Sequence, residues 1–174
     1  SHPDGNAIVN FSDRGVTGLL DDNGYMIPEP AEHNTVIVYR EGLGAPFPEL
    51  VRLDRLADLD TVGMTSSTVP EFNGTDWTRQ IFWKKRGDFA VVDRVVARHP
   101  GEYGLRCIWK TTGDVALGGE QFVCQRGDVL FKLTHLDGSN QSIKPSNEKL
   151  PLGRRLIQST VQQLKAEDQY AFVN

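Results

Sequence analysis

The sequence predicts an all-β fold: one domain over residues 1–174, built as a large antiparallel β-sandwich (super-sandwich type) of roughly a dozen strands. Two observations carry this prediction. Short runs of β-branched and aromatic residues recur along the chain, with glycine, asparagine and aspartate between them. Helical patterns do not alternate with these runs, so sheet packed on sheet is favoured over a parallel sheet covered by helices.

The predicted strands follow the apolar runs in chain order, and residues that favour turns bound each of them. Two proline- and glycine-bearing segments, Glu41–Pro48 and Asn140–Lys149, are predicted to be loops. The predicted strands are Ala7–Phe11, Val16–Leu20, Thr35–Tyr39, Leu50–Ala57, Thr61–Ser66, Thr78–Lys85, Phe89–Ala97, Tyr103–Thr111, Gln121–Arg126, Val129–His135, Arg155–Leu164 and Tyr170–Val173.

A first hairpin is expected between Arg79–Lys85 and Phe89–Val95, because Gly87 between them can reverse the chain at low cost. Ile81 and Trp83 alternate with a further aromatic residue on the opposite face. Apolar bulk on both faces predicts an inner strand between two layers.

A second hairpin is expected between Leu105–Thr111 and Gln121–Arg126, with its reversal at residues 113–119. This pairing places Cys107 and Cys124 nearly opposite each other. A cross-strand disulfide and a pair of unpaired buried thiols are both compatible with that placement. Two cysteines are too few for a disulfide scaffold.

The segment Leu152–Lys165 also fits a helix, since apolar residues recur there at intervals of three and four. Ile157 and Val161 belong equally to an alternating pattern, and the segment leads directly into Tyr170–Val173. A strand is therefore favoured over a helix.

The composition limits the possible partners. A content of 39% hydrophobic and 24% charged residues is typical of a soluble globular protein. The longest apolar runs, such as Phe89–Val92, are far shorter than the ~20 residues of a membrane-spanning helix. The formal charge of −4 argues against nucleic-acid binding. Neither a membrane nor a nucleic acid is expected as a partner.

A basic cluster of Arg79, Lys84, Lys85 and Arg86 surrounds Trp83. A solvated hairpin end is the favoured interpretation, and contact with an anionic ligand is the alternative. Asp93 is expected to pair locally with an arginine.

His2, Asp22 and His33 supply two imidazoles and one carboxylate near the N-terminus, and water could complete a tetrahedral zinc site. Asp21 competes with Asp22 for the ligand role. The spacing lacks the fixed interval of a helical zinc motif or the paired cysteines of a zinc finger.

Each candidate ligand also has a simpler explanation. His2 can be a disordered terminal residue, Asp22 can cap the turn at Asn23-Gly24, and His33 can hydrogen bond to a loop backbone. His99 and His135 are expected to be surface histidines beside turns. No acyl-transfer nucleophile motif, phosphate-binding glycine loop or paired redox cysteines are present in the sequence.

Four blocks of the sequence nevertheless form a pattern: His2–Val9, the Leu20–Tyr25 turn, His33–Val38 and Arg79–Val95. In order and spacing this pattern resembles the β-sandwich region of the heparinase II/III-like polysaccharide lyases. The resemblance extends from Ser1 to Thr111, and the remaining strands are compatible with it.

The resemblance implies a fragment that lacks an N-terminal α-helical toroid domain, the expected partner within the same parent protein. It implies β-elimination on an acidic, uronic-acid-containing polysaccharide and a secreted or periplasmic location. A catalytic tyrosine and asparagine would belong to the toroid, and a catalytic histidine would precede Ser1. The catalytic residues of this chain are therefore unknown, and the isolated chain is expected to be inactive.

The resemblance also implies a structural zinc. Its ligands map to the histidine of the first block, His2; the aspartate of the Asp-x-Gly-Tyr turn, Asp22; and the histidine of the His-Asn-Thr block, His33. The alternative function is a non-catalytic carbohydrate-binding or structural module, with sugar rings stacked on Trp77, Trp83, Trp109 and Tyr103.

Overall fold

The computed structural model describes residues 5–13, 15–21, 29–44, 47–85, 87–145 and 153–174. Within these ranges the chain forms fourteen β-strands and one short 3₁₀ helix, Pro30–Glu32. The strands are β1 Asn10–Asp13, β2 Val16–Leu20, β3 Val36–Arg40, β4 Arg52–Asp58, β5 Val62–Phe72, β6 Thr75–Lys84, β7 Phe89–Ala97, β8 Gly101–Thr112, β9 Asp114–Leu117, β10 Gln121–Arg126, β11 Val129–Thr134, β12 Asn140–Pro145, β13 Gly153–Leu164 and β14 Gln169–Val173.

The strands form two large and two small sheets, and the pairings between neighbouring strands are antiparallel. The five-stranded sheet has the order β14-β7-β6-β5-β4, and the four-stranded sheet has the order β12-β13-β8-β3. Strands β11, β10 and β9 form a three-stranded sheet, and β1 pairs with β2. The prediction of an antiparallel all-β sandwich is therefore confirmed.

The core consists of side chains from the facing sides of the sheets. Alternate residues of a strand point to opposite faces, so one face of β6 and one of β8 supply Trp77, Tyr103, Leu105 and Trp109, all with no exposed surface. Each such side chain stabilises the fold by about 1.5–3 kcal/mol relative to an exposed one.

An ion pair lies inside this core. Arg79 binds Asp93 through two hydrogen bonds, from Nε to Oδ1 at 2.8 Å and from Nη2 to Oδ2 at 2.9 Å. Both side chains are buried. The expected pairing of Asp93 with an arginine is confirmed, but the expectation that Arg79 belongs to a solvated hairpin end is wrong. Lys84 and Lys85 are exposed, as predicted, and Arg86 lies outside the described residues.

The strand predictions agree with most of the structure. β2, β7 and β10 have the predicted bounds, and the β6–β7 hairpin is confirmed. β13 is a strand, as favoured over a helix. β6 lies between β5 and β7, but its outer face is not covered, since Phe82 is 42% exposed.

Four strands differ from the prediction most clearly. β12 lies within the predicted loop Asn140–Lys149, because its polar residues pair with β13 at a sheet edge where proline is tolerated. β9 has no counterpart among the predicted strands, and β5 continues past the predicted Ser66 to Phe72. β1 starts at Asn10 instead of Ala7. Upstream of β1, the carbonyls of Asn6 and Ile8 bind side chains from other parts of the chain.

The predicted hairpin between β8 and β10 is wrong. β8 pairs with β13 and β3, whereas β10 pairs with β9 and β11. Between β8 and β9 lies Gly113, with a φ of 101° that only glycine adopts readily, and there the chain passes from one sheet to another. Cys107 and Cys124 therefore lie in different sheets, and both are buried free thiols. The disulfide is absent, and the alternative of unpaired thiols is confirmed.

The helical content is small. Among the residues described, no helix is long and apolar enough to cross a lipid bilayer.

Candidate metal centre

The candidate metal centre is built around His33, which directly follows the 3₁₀ helix. The His33 backbone N–H donates to the carbonyl of Pro30, and Asp21 follows the last residue of β2. The two side chains meet in the interior: His33 Nδ1 lies 2.9 Å from Asp21 Oδ1 and 3.0 Å from Oδ2. Only 1% and 2% of their side-chain surfaces are exposed. The carboxylate thus fixes the orientation of the imidazole.

Asn34 attaches the N-terminal segment to the four-stranded sheet. Its Nδ2 donates to the Ile8 carbonyl at 2.8 Å, and its Oδ1 accepts the backbone N–H of Lys110 on β8 at 2.5 Å. The Asn34 side chain therefore bridges two segments that are far apart in sequence.

Arg79 makes a second attachment to the same region. Its Nη1 donates to the carbonyls of Asn34 at 2.7 Å and Asn6 at 2.9 Å. The core ion pair of Arg79 with Asp93 thus fixes the backbone on either side of the candidate centre.

A buried charged cluster adjoins the centre. Glu32 lies 3.1 Å from Arg155 Nη1 and 3.8 Å from Lys110 Nζ, and the Glu32 and Lys110 side chains are each 1% exposed. The sequence alone does not predict this cluster. The available signal was the alternation of Lys110 with the apolar residues of β8, but its register with Arg155 on β13 depends on tertiary pairing.

The predicted ligand set is only partly placed by the structure. His33 is buried and held by Asp21, whereas His2 and Asp22 lie outside the described residues. Within the described ranges, no group of three or more histidine, cysteine, aspartate or glutamate side chains is arranged to hold a metal ion. The zinc ligands therefore remain a prediction. The described part fits such a site, since a zinc-binding histidine almost always donates its second ring N–H to a carboxylate, a backbone carbonyl or water, and Asp21 is such a carboxylate.

The two remaining histidines differ from each other. His99 is exposed beside a turn, as predicted. His135 is only 1% exposed and its ring lies 5.1 Å from that of Phe122, so the prediction of a surface histidine is wrong there. The end of β11 packs against β10, and local sequence does not reveal that contact.

The aromatic residues considered for sugar stacking are mostly core residues. Trp77, Trp109 and Tyr103 have no exposed surface, so the stacking prediction is wrong for these three. The Tyr103 hydroxyl donates to the His99 carbonyl at 2.9 Å. Trp83 alone of the four is partly exposed.

Neither a protein-family model nor a curated protein sequence matches the chain, whereas solved structures do. A heparinase III, the BT4657 gene product with methylated lysines, aligns with a TM-score of 0.71 and 16% identity over 94% of this chain and 28% of that one. A mutant of the heparan sulfate lyase HepC from Pedobacter heparinus aligns with a TM-score of 0.67 and 14% identity over 91% and 28%. A further heparinase III structure aligns with a TM-score of 0.66 and 11% identity, over 92% of this chain and 27% of that one.

The chain thus spans about 28% of the length of these heparinase III and HepC structures. At 11–16% identity the likeness shows the fold, and it covers more than nine-tenths of this chain. The fold implied by the four sequence blocks is confirmed: this chain has the fold of a β-sandwich segment of the heparinase-like polysaccharide lyases.

Proposed function

We propose that this chain is the β-sandwich portion of a polysaccharide lyase that cleaves uronic-acid-containing glycans by β-elimination. The observation that carries the proposal is the structural similarity to heparinase III, with a TM-score of 0.71 over 94% of the chain. The resemblance of the four sequence blocks supports it independently. A secreted or periplasmic location belongs to the same proposal.

In this reaction a base removes the proton at C5 of the uronate, the bond between C4 and the glycosidic oxygen breaks, and a C4–C5 double bond forms. An acid protonates the departing oxygen. We assign none of these steps to a residue of this chain. Its proposed part is to present a fixed surface to groups contributed by a toroid domain, because catalysis requires groups from both sides within hydrogen-bonding reach.

A structural zinc held by His2, Asp22 and His33 is part of the proposal. The contact between the Asp21 carboxylate and His33 Nδ1 supports this zinc site. Because Nδ1 binds Asp21, His33 would coordinate the metal through Nε2. A zinc there would connect the N-terminal segment to the sheets, and its binding free energy would add to the folding stability.

The metal content of the purified chain tests the zinc directly. We expect about one zinc per chain, and His33→Ala should lose it. Asp21→Asn should weaken binding by about 10- to 100-fold, since it removes only the partner that orients the imidazole. The control is His99→Ala, because His99 is an exposed histidine after β7 and is not among the predicted zinc ligands. Undiminished zinc in His33→Ala would exclude this ligand assignment.

The lyase assignment is tested with the longer parent protein that contains this chain. Incubation with glucuronate-containing polysaccharide should raise the ultraviolet absorbance of unsaturated uronate, whereas the isolated chain should produce no rise. Glycan binding by the parent without any unsaturated product would instead favour a carbohydrate-binding module.

A further inference from the structure

The outer face of the four-stranded sheet carries a groove of about 470 Å³ that lies apart from the His33–Asp21 pair. Residues of β3, β8, β12 and β13 line it. On this face Arg106 of β8 is in register with Ser159 of β13, which is in register with Asn140 of β12. A guanidinium, a hydroxyl and an amide thus form one row across three strands.

Arg106 is held in a fixed orientation by Tyr39. The guanidinium lies over the tyrosine ring, 4.9 Å from its centroid, and Nη1 lies 3.4 Å from the tyrosine hydroxyl. Among the described residues no carboxylate forms an ion pair with Arg106, and the side chain is exposed. A stacked guanidinium keeps its N–H edge available for two parallel hydrogen bonds to a carboxylate.

The neighbouring row forms an open apolar floor. Gly104 is in register with Tyr39 on one side and Val161 on the other, and Val161 is 66% exposed. Since glycine has no side chain, the groove stays open above the backbone. An exposed valine beside hydroxyl and amide groups suits a sugar ring, which has apolar faces and polar edges.

Glu102 lines the far end of the groove and accepts a hydrogen bond from Gln163 at 3.3 Å. The Cα atoms of Glu102 and Arg106 are four residues apart along β8, a distance of about 13 Å. Among the described residues Glu102 forms no ion pair with Arg106, and its carboxylate binds Gln163 instead.

We propose that this groove is a glycan-binding site in which Arg106 binds the carboxylate of a uronic acid residue. Tyr39 is a positioning residue, Ser159 and Asn140 bind sugar hydroxyls, and Val161 contacts the ring. The choice of a uronate as ligand rests on the proposed function.

The test is a calorimetric or NMR titration of the chain with a glucuronate-containing tetrasaccharide. A matched tetrasaccharide with its carboxylates reduced to alcohols serves as the neutral control. Arg106→Ala should weaken binding of the acidic probe by about tenfold or more. Arg106→Lys should recover only part of it, since a lysine cannot form the two parallel bonds. Tyr39→Leu should also weaken binding, while Tyr39→Phe should retain most of it.

Arg94→Ala is the control variant, because Arg94 is also an exposed arginine in mid-strand but lies on the other large sheet. It should bind like the unaltered chain, and the unfolding midpoints of all variants should agree. Equal binding by Arg106→Ala, equal binding of the neutral probe, or no binding of the acidic probe would overturn the proposal. Failure of the proposed function would be seen in different experiments: the purified chain would contain no zinc, and the parent protein would release no unsaturated product.

Discussion

Arg79 lies in the interior between the rings of Trp77 and Trp109, 5.2 and 5.4 Å from their centroids. Burial there opposes the charged form, but the charge and hydrogen bonds of Asp93 outweigh it and raise the pKa of Arg79. The Trp77 indole N–H donates to Asp93 as well, at 2.8 Å. The carboxylate is thus saturated by donors, which makes a buried charge tolerable.

We expect Arg79→Met to lower the free energy of unfolding by about 3–5 kcal/mol, because it leaves Asp93 buried without its counter-ion. The double variant Arg79→Met, Asp93→Leu should be considerably more stable than the single one. Urea denaturation measures both effects. Arg98→Ala, which removes an exposed arginine with two carboxylate partners, should have a much smaller effect. Equal losses for Arg79 and Arg98 would contradict this account of the core.

Tyr170 gives the fold a sensitivity to alkaline pH. Burial and the nearby charge of Asp137 raise the pKa of Tyr170 from 10.0 to about 12. Below pH 10 the phenol is protonated in both states, so its contribution is complete. Between pH 10 and 12 the unfolded chain releases the proton while the folded chain keeps it, and the free energy of unfolding falls.

Tyr170→Phe should therefore flatten the decline of the urea midpoint between pH 10 and 12, measured by circular dichroism at several pH values. From pH 7 to 9 the two proteins should show parallel midpoints. Identical slopes above pH 10 would indicate that Tyr170 does not titrate differently in the two states.

Among the elements, the β5–β6 ladder shows how a glycine accommodates an aromatic neighbour. Gly63 and Trp83 are in register across the two strands, and a Cβ atom on Gly63 would overlap the indole ring. The ring thus occupies the space that any side chain at position 63 would need. A cross-strand pair of glycine and aromatic residue of this kind fixes the register of a sheet.

Gly63→Ala should destabilise the fold by about 1–3 kcal/mol through overpacking and should change the tryptophan fluorescence as Trp83 is displaced. The matched control is Gly118→Ala, whose added Cβ would meet only Val123 Cγ2 at 4.0 Å. Thermal unfolding followed by fluorescence measures both variants. A neutral Gly63→Ala variant with unchanged fluorescence would refute the steric argument.

At the scale of the whole molecule, one core connects the sheets. Its buried residues come from β2, β3, β5, β6, β7, β8, β10, β11, β13 and β14, so all four sheets contribute through at least one strand. Cutting one sheet away would expose apolar surface of the others. The described strands therefore share one core, and the single domain that the sequence predicts stays a prediction.

We expect a single unfolding transition, with coincident curves from far-ultraviolet circular dichroism and tryptophan fluorescence, as for a single domain. Trp77 and Trp109 report on the two large sheets, so fluorescence follows both. Two separated transitions would show that the sheets unfold independently and would argue against one domain.

The sequence alone determined the fold class, most strand positions and the pairing of Asp93 with an arginine. These features depend on local chemistry: β-branched and aromatic residues favour strands, and turn residues interrupt them. The blocks around His33 also indicated the lyase-like fold that the structural comparison confirmed.

The tertiary structure decided which strands pair and which charges are buried. β8 pairs with β13 and β3, so the cysteines lie apart, and Asn140–Pro145 becomes a strand only through β13. The Asp21–His33 pair and the Glu32 cluster also join residues from separate segments. Such choices depend on contacts between segments distant in sequence, because a strand's alternation fixes its faces but not its partner.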